Sequence, residues 1–162
     1  MHKKCDAEMT GHEEGNDKLV TTNRKARYDY TVLDTFEAGI VLTGTEVKSL
    51  RNGRANLTDG YAHIKNGEVW LIGMHISPYE QGSYANVDPI RTRKLLLHKK
   101  EINKLTARTQ QQGLTLVPLK VYFLKNRAKI LLGLAQGKKA YDKRHDIAKR
   151  EVERQIKRQY AR

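Results

Sequence analysis

The stretch that most restricts the fold is Tyr61–Gly73, "YAHIKNGEVWLIG". Two alternating runs meet at Asn66-Gly67, a dipeptide that accepts positive φ at both central positions of a type I′ turn. The stretch therefore predicts an antiparallel hairpin with one buried face. The same period of two appears in "YDYTVLDTFEAG". There Tyr28, Tyr30, Val32 and Phe36 alternate with Asp29, Thr31, Leu33 and Thr35, as in a half-buried strand. Gly39 is expected to break this strand, with "IVLTG" resuming it as far as Gly44. Further on, "LTLVPLKVYFLKNRAKILLGL" predicts two more strands around a Lys125–Arg127 turn. Pro118 cannot donate a ladder hydrogen bond, so it marks an edge or a bulge.

Two segments carry helical signals instead. In "TEVKSLRNG", Thr45 is placed to cap, Val47 and Leu50 share a face, and Gly53 supplies the stop. In "LLLHKKEINKLTARTQQQG", His98 stands at the cap and Glu101 at the third helical position. Ile102 and Leu105 share a buried face, and Gly113 ends the run. About six or seven short strands and about two helices imply a mainly β fold with some α, a small closed or nearly closed antiparallel barrel. Residues 1–22 have no apolar period and are expected to be a disordered leader. Residues 23–136 form the barrel domain, and residues 137–162 a basic tail.

Charge constrains the partner. The formal net charge is +13 on 162 residues, which predicts a polyanion. Nucleic acid is the first candidate and an anionic membrane surface the second. Arg24, Lys25 and Arg27 lie beside Tyr28 and Tyr30. A second cluster holds Arg91, Arg93, Lys94, Lys99 and Lys100, in the manner of cations that fix phosphates beside rings that stack on bases. Enzymatic chemistry finds little support. The lone Cys5 excludes an internal disulfide and cannot complete a zinc site. No two histidines have helical metal-ligand spacing. "GLAQGKK" is too short between its glycines for a phosphate-binding loop and lacks its Ser or Thr. The serines lack a nucleophile elbow. Glu37 and Glu46 are the carboxylates that would have to pair for acid–base work, and nothing in the sequence requires them to meet. With no signal segment and no apolar run of about 18 residues, a soluble, cytoplasmic protein is expected. Nothing here points to an active site, so an enzyme is only the runner-up class, and a monomer without a cofactor is expected.

The tail from Gly137 to Arg162 holds ten Lys or Arg against four Asp or Glu. On a helix, Ala148, Val152, Ile156 and Tyr160 make one narrow stripe. Asp146 with Arg150 and Glu153 with Lys157 are favourable i,i+4 pairs. The stripe is too thin to hold the helix on the barrel. The tail is therefore expected to be disordered when free and to become helical on an anionic partner. A membrane-surface helix is disfavoured, because the stripe lacks large Leu, Phe or Trp residues.

Four stretches, "NRKARYDY", "FEAGIVLTGTEVKSLRNGRANLTDGY", "RTRKLLLHKKEI" and "GKKAYDKRHDIAKRE", resemble the small protein B family, the bacterial SsrA-binding proteins. The resemblance runs from about Asn23 to the end of the chain. It implies an oligonucleotide-binding-like barrel that binds the tRNA-like domain of transfer-messenger RNA. Such proteins bring that RNA, with elongation factor Tu, to ribosomes stalled on truncated messages. By the motifs it shares, the resemblance assigns RNA binding to Asn23, Arg24, Lys25, Glu37, Leu96, His98 and Lys129. It assigns the decoding centre of the small ribosomal subunit RNA to Gly137, Lys138, Lys139, Tyr141, Asp142, Lys143 and Arg144. Some members carry His where this chain has Tyr141. Val152 and Ile156 fall where the family places hydrophobics in the empty mRNA channel. Glu37 cannot contact phosphate favourably. A carboxylate there accepts from base or ribose donors, or orients a neighbouring cation. A competing assignment is a general binder of structured RNA, such as a ribosomal protein.

Overall fold

The computed structural model describes residues 18–110 and 113–161, so Cys5 and most of the expected leader lie outside the described residues. In chain order the elements are β1 (Lys18–Thr22), α1 (Arg24–Asp29), β2 (Tyr30–Ile40), α2 (Gly44–Arg51), β3 (Ala55–Asn56), β4 (Tyr61–Lys65), β5 (Glu68–Ile72), β6 (His75–Ile76), β7 (Arg93–Leu96), α3 (Lys99–Thr109), β8 (Leu114–Leu124), β9 (Arg127–Gly137) and α4 (Ala140–Tyr160). Every strand pairing is antiparallel. The order β8-β4-β5-β7-β2-β9 returns to β8 through the β8–β9 pairing, so the main sheet closes on itself. Closure removes the open edges that an isolated sheet would expose. The expected barrel is therefore present, with four α-helices among the described residues rather than about two.

Local chemistry explains most boundaries. Asn66 and Gly67 adopt φ of 53° and 70° and join β4 to β5. Lys125 and Asn126 make the corresponding turn between β8 and β9. Arg127, expected in that turn, already begins β9. Three expectations are corrected. Residues 18–22, assigned to the disordered leader, form β1 against β8. Five residues with a Val and two Thr suffice where a partner edge is waiting. The cap of α2 is Thr43, not Thr45. Thr43 Oγ1 accepts from the Glu46 amide and the Glu46 carboxylate accepts from the Thr43 amide, a reciprocal capping box. Gly39 does not break β2 but lies within it, paired with Lys129 on one side and Leu96 on the other.

Two bulges decide which face each residue takes. In β2, Leu33 has no partner between Val32 and Asp34. In β8, Leu119 has none between Pro118 and Lys120, which places a bulge at the proline as expected. One extra residue shifts the pleat parity, so side chains of one sequence parity divide between two faces. Phe36, Ala38, Val121 and Phe123 enter the main core with Leu50, Leu71, Leu105, Ile130, Leu132 and Leu134. Tyr30, Val32, Val117 and Leu119 instead face outward. There they make a small second core with Ala26 of α1 and Ala135. A Cβ on Gly133 would lie 3.0 Å from Leu119 Cδ1, so glycine leaves the space that Leu119 occupies.

A buried ion pair joins α2 to β7. Arg93 is 0% exposed and Glu46 4%. Arg93 Nε donates to Glu46 Oε1 at 2.9 Å. Its other nitrogens reach Glu46 and the carbonyls of Met74, Arg91 and Pro89, so every guanidinium N–H has an acceptor. Arg91 Nη2 donates to Glu46 Oε2 at 2.9 Å. Burial by itself raises the Glu46 pKa, but Arg91, the Thr43 amide and Arg93 outweigh it and hold the carboxyl below its ordinary 4.5. A carboxyl with a depressed folded pKa stabilises the fold fully above its unfolded value, and that contribution is lost as pH falls through the folded value. Stability should thus fall with acid below about pH 4.5. In urea unfolding at pH 7, Glu46→Ala should cost about 3–5 kcal/mol, because it strands Arg93. The double variant Glu46→Gln/Arg93→Met should cost less than either single change, and the pH slope below 4.5 should flatten in it.

Candidate nucleic-acid interface

Gly39 organises an outer face of the barrel. Its neighbours Phe36 and Ala38 point into the core, which turns Glu37 outward on the same side as Gly39. Opposite Gly39, β7 supplies Leu96 and β9 supplies Lys129. A Cβ on Gly39 would lie 3.4 Å from Leu96 Cβ and 3.7 Å from its Cδ1, so the bare glycine lets the Leu96 side chain lie over the strand. β7 then leads into His98, the exposed N-cap of α3, whose amide donates to Glu101 Oε2 at 3.2 Å. The result is an open cleft of about 670 Å3. Its apolar floor includes Ile40, Val47 and Phe123. Glu37, His98, Lys129 and Arg127 lie around it.

Four of the expected RNA-binding residues, Glu37, Leu96, His98 and Lys129, therefore meet in one site. Leu96 does not pack into the core; it is 54% exposed, whereas its neighbour Leu95 is 1% exposed. Glu37 orients its surroundings. Its Oε2 accepts from Tyr122 Oη, and Lys129 Nζ lies 3.7 Å from its Oε1. Lys120 stands 5.2 Å over the Tyr122 ring. Tyr122 and Lys129 are direct cross-strand partners, close enough for side-chain contact. Lys120 and Tyr122 were not among the expected site residues. The signal was available, since they alternate with buried Val121 and Phe123, but only the strand register brings them to Glu37.

The other expected contacts separate from this site. Asn23 is 3% exposed. Its Nδ2 donates to the Leu57 and Pro118 carbonyls, both at 3.0 Å, and its Oδ1 accepts from the Ala26 amide. It caps α1 and joins it to the barrel, so its amide is committed to the fold rather than to RNA. Arg24 and Lys25 remain exposed on α1, where Lys25 lines a different cleft with Asp59 and Tyr61. The expected contact cluster at residues 91–94 is likewise reassigned. Arg93 is buried, Arg91 pairs with Glu46, and Lys94 Nζ is 2.9 Å from Glu68. Lys99 and Lys100 stay exposed at the start of α3, beside the cleft.

The tail begins where Gly137 closes β9 opposite Tyr30. α4 is helical from Ala140 to Tyr160, and the side chain of Tyr141 lies outside the described ones. Every residue from Ile147 to Ala161 is exposed, including Val152 at 54% and Ile156 at 46%. The narrow stripe does not dock on the barrel, as its width implied. Lys139, Asp142 and Arg144 are exposed, while Lys138 pairs with Asp146 and Lys143 with Asp29. The hydrogen bond from Lys138 holds the Asp146 carboxyl below its ordinary range. Among the described residues no group of His, Cys, Asp or Glu could hold a metal ion, and no helix is long and apolar enough to cross a membrane.

The split between adjacent leucines is open to direct measurement. Leu95→Ala should destabilise the barrel by about 2–5 kcal/mol. Leu96→Ala should change unfolding by no more than about 0.5 kcal/mol, so any effect it has on RNA affinity would come from the cleft.

The chain is similar to known proteins over most of its length. The family model described as "SmpB protein" matches residues 20–162. The SsrA-binding protein of Enterococcus faecalis (strain ATCC 700802 / V583) is 63% identical over 144 residues, covering 89% of this chain and 94% of its own. That of Gloeothece citriformis (strain PCC 7424) is 61% identical over 148 residues, covering 91% and 96%. A solved structure described as "tmRNA-SmpB: a journey to the center of the bacterial ribosome" matches with a TM-score of 0.65. It is 57% identical and covers 76% of this chain and 86% of its own. The match extends from β1 through α4 and spans the barrel, the cleft and the tail, so the chain belongs to the SmpB protein family.

Proposed function

We propose that this protein binds the tRNA-like domain of transfer-messenger RNA through the Gly39 cleft and delivers it to stalled ribosomes for peptide tagging. One observation carries the proposal: Glu37, Leu96, His98 and Lys129, remote in sequence, line one exposed cleft in a chain about 60% identical to SsrA-binding proteins. The chemistry of the cleft suits an unpaired RNA segment. Leu96 and the apolar floor accept a base face, and the His98 ring is free to stack. Lys129, held by Glu37, meets a phosphate. Lys99, Lys100 and Arg127 extend the positive rim. Arg24 and Lys25 on α1 are a separate phosphate contact. The protein acts in the cytoplasm as a monomeric RNA-binding partner without catalysis, and meets elongation factor Tu only through the RNA.

In this assignment the tail reads the ribosome rather than the transfer-messenger RNA. Gly137, Lys138, Lys139, Tyr141, Asp142, Lys143 and Arg144 approach the decoding centre in the small-subunit RNA. Val152 and Ile156 lie along the empty mRNA channel. The exposure of the whole distal half of α4 supports a segment whose partner is another molecule.

Glu37→Ala and His98→Ala should each weaken affinity for the tRNA-like domain by about 5–100-fold, the scale of one stacking or charge-assisted contact. Their melting temperatures should stay near that of the unmodified protein. Filter binding with the transcript and with a bulk tRNA competitor checks this, and equal competition by tRNA would favour a general RNA binder. Charge reversal of Lys138, Lys139, Lys143 and Arg144 together should abolish tagging in a reconstituted translation assay while leaving transfer-messenger RNA binding largely intact.

A further inference from the structure

The base of α4 is held by α1. Past the Gly137–Tyr30 pair, the Lys138 amide donates to the Asp29 carbonyl at 2.9 Å, which carries the ladder one residue further. Lys143 Nζ lies 3.2 Å from Asp29 Oδ1, and both side chains are partly buried. The Tyr28 ring receives two cations from the same helix, Lys143 Nζ at 5.8 Å and Arg150 Cζ at 5.9 Å from its centroid. Lys143 and Arg150 are two turns apart on one face of α4. Contacts at two heights along one face fix the rotation of the helix as well as its position. Tyr28, expected in a strand, is the penultimate residue of α1, and its ring is available to α4 for that reason.

We propose that Tyr28 and Asp29 form a clasp that sets the direction in which α4 leaves the barrel, and that RNA phosphates open it by taking Lys143 from Asp29. Each contact is of a kind that is weak near a protein surface. Together they orient the first turns of the helix yet remain exchangeable. A phosphate accepts from a lysine as a carboxylate does, and an RNA strand offers a row of them. Lys143 cannot serve Asp29 and a phosphate at once. Tyr28 and Asp29 are positioning residues here, acting on RNA only through the tail. The exchange half of the proposal rests on the tail being the ribosome-facing segment, whereas the clasp does not.

The test uses the full chain with Cys5→Ser, spin-labelled at Lys65→Cys on β4 and Lys149→Cys on α4. Double electron–electron resonance should give a narrow distance distribution that broadens in Tyr28→Ala and in Asp29→Asn. Tyr28→Phe and Asp29→Glu should keep it narrow, which a nonspecific loss of fold would not do. Saturating polyuridylic acid should shift or broaden the native distribution and add no change in Asp29→Asn. An unchanged distribution in Tyr28→Ala and Asp29→Asn overturns the clasp. A native distribution unmoved by polyuridylic acid overturns the exchange. Neither outcome bears on the Gly39 cleft, whose affinity for the tRNA-like domain should be unchanged in Asp29→Asn.

Discussion

The Glu46–Arg93 pair is the contact on which the arrangement of the barrel depends. Glu46 caps α2 through the Thr43 amide and simultaneously holds Arg93 of β7 and Arg91 beyond it. Arg93 in turn donates to the carbonyls of Met74, just before β6, and of Pro89, near the end of the long connection from β6 to β7. One carboxylate thereby fixes a helix, a strand and a loop relative to one another. Buried ion pairs add little net stability compared with apolar packing, because desolvation offsets their attraction. Their effect is on uniqueness, since any other placement of α2 would leave two charges buried without partners. With α2 and β7 set, Leu50 fills the core, and Leu96 is held one residue outside it, at the cleft.

Closing the sheet has a second consequence. A barrel that closes must bend its long strands, and β2 and β8 each do so at a bulge. The bulges also change which side chains face inward. The outward-facing Tyr30, Val32, Val117 and Leu119 would be an exposed apolar patch without α1, which covers them through Ala26. Asn23 holds α1 there by bonding to Leu57 and Pro118. The bulge, the covering helix and its cap are thus one device, and it places Tyr28 and Asp29 beside the start of the tail.

The distribution of charge follows from the same geometry. Part of the positive charge is met within the protein. Arg54, Arg91, Arg93, Lys94 and Arg108 are engaged by the protein's own carboxylates. Cations at the start of α3, at the β8–β9 turn and along α4 remain exposed. These flank the cleft or extend away from it. The net charge named a polyanion as partner, but the ion pairs decide which surface presents it.

Several features were legible from the sequence because they depend on near neighbours. The Asn66-Gly67 turn, the α3 cap at His98, the stop at Gly53 and the narrow stripe of the tail each follow from φ preferences or from spacing within a few residues. The family motifs likewise pointed to Glu37, Leu96, His98 and Lys129. Other features depend on contacts far apart in the chain, and local pattern could not reach them. The Thr43 cap of α2 is the exception, a Thr-x-x-Glu spacing that can be read from near neighbours alone. Tyr28 leaves the strand because Ala26 has a second core to cover. Gly39 continues its strand because two neighbours pair with it. Arg93 and Asn23 look like RNA contacts in a linear motif, yet the fold uses both internally. The sequence by itself determined most of the strands, α2 and α3, the hairpins and the polyanionic partner class, since those rest on local conformation and net charge. Only the tertiary structure decided which polar groups are committed to the interior and which reach solvent, because that depends on strand register and bulges set across the whole ring.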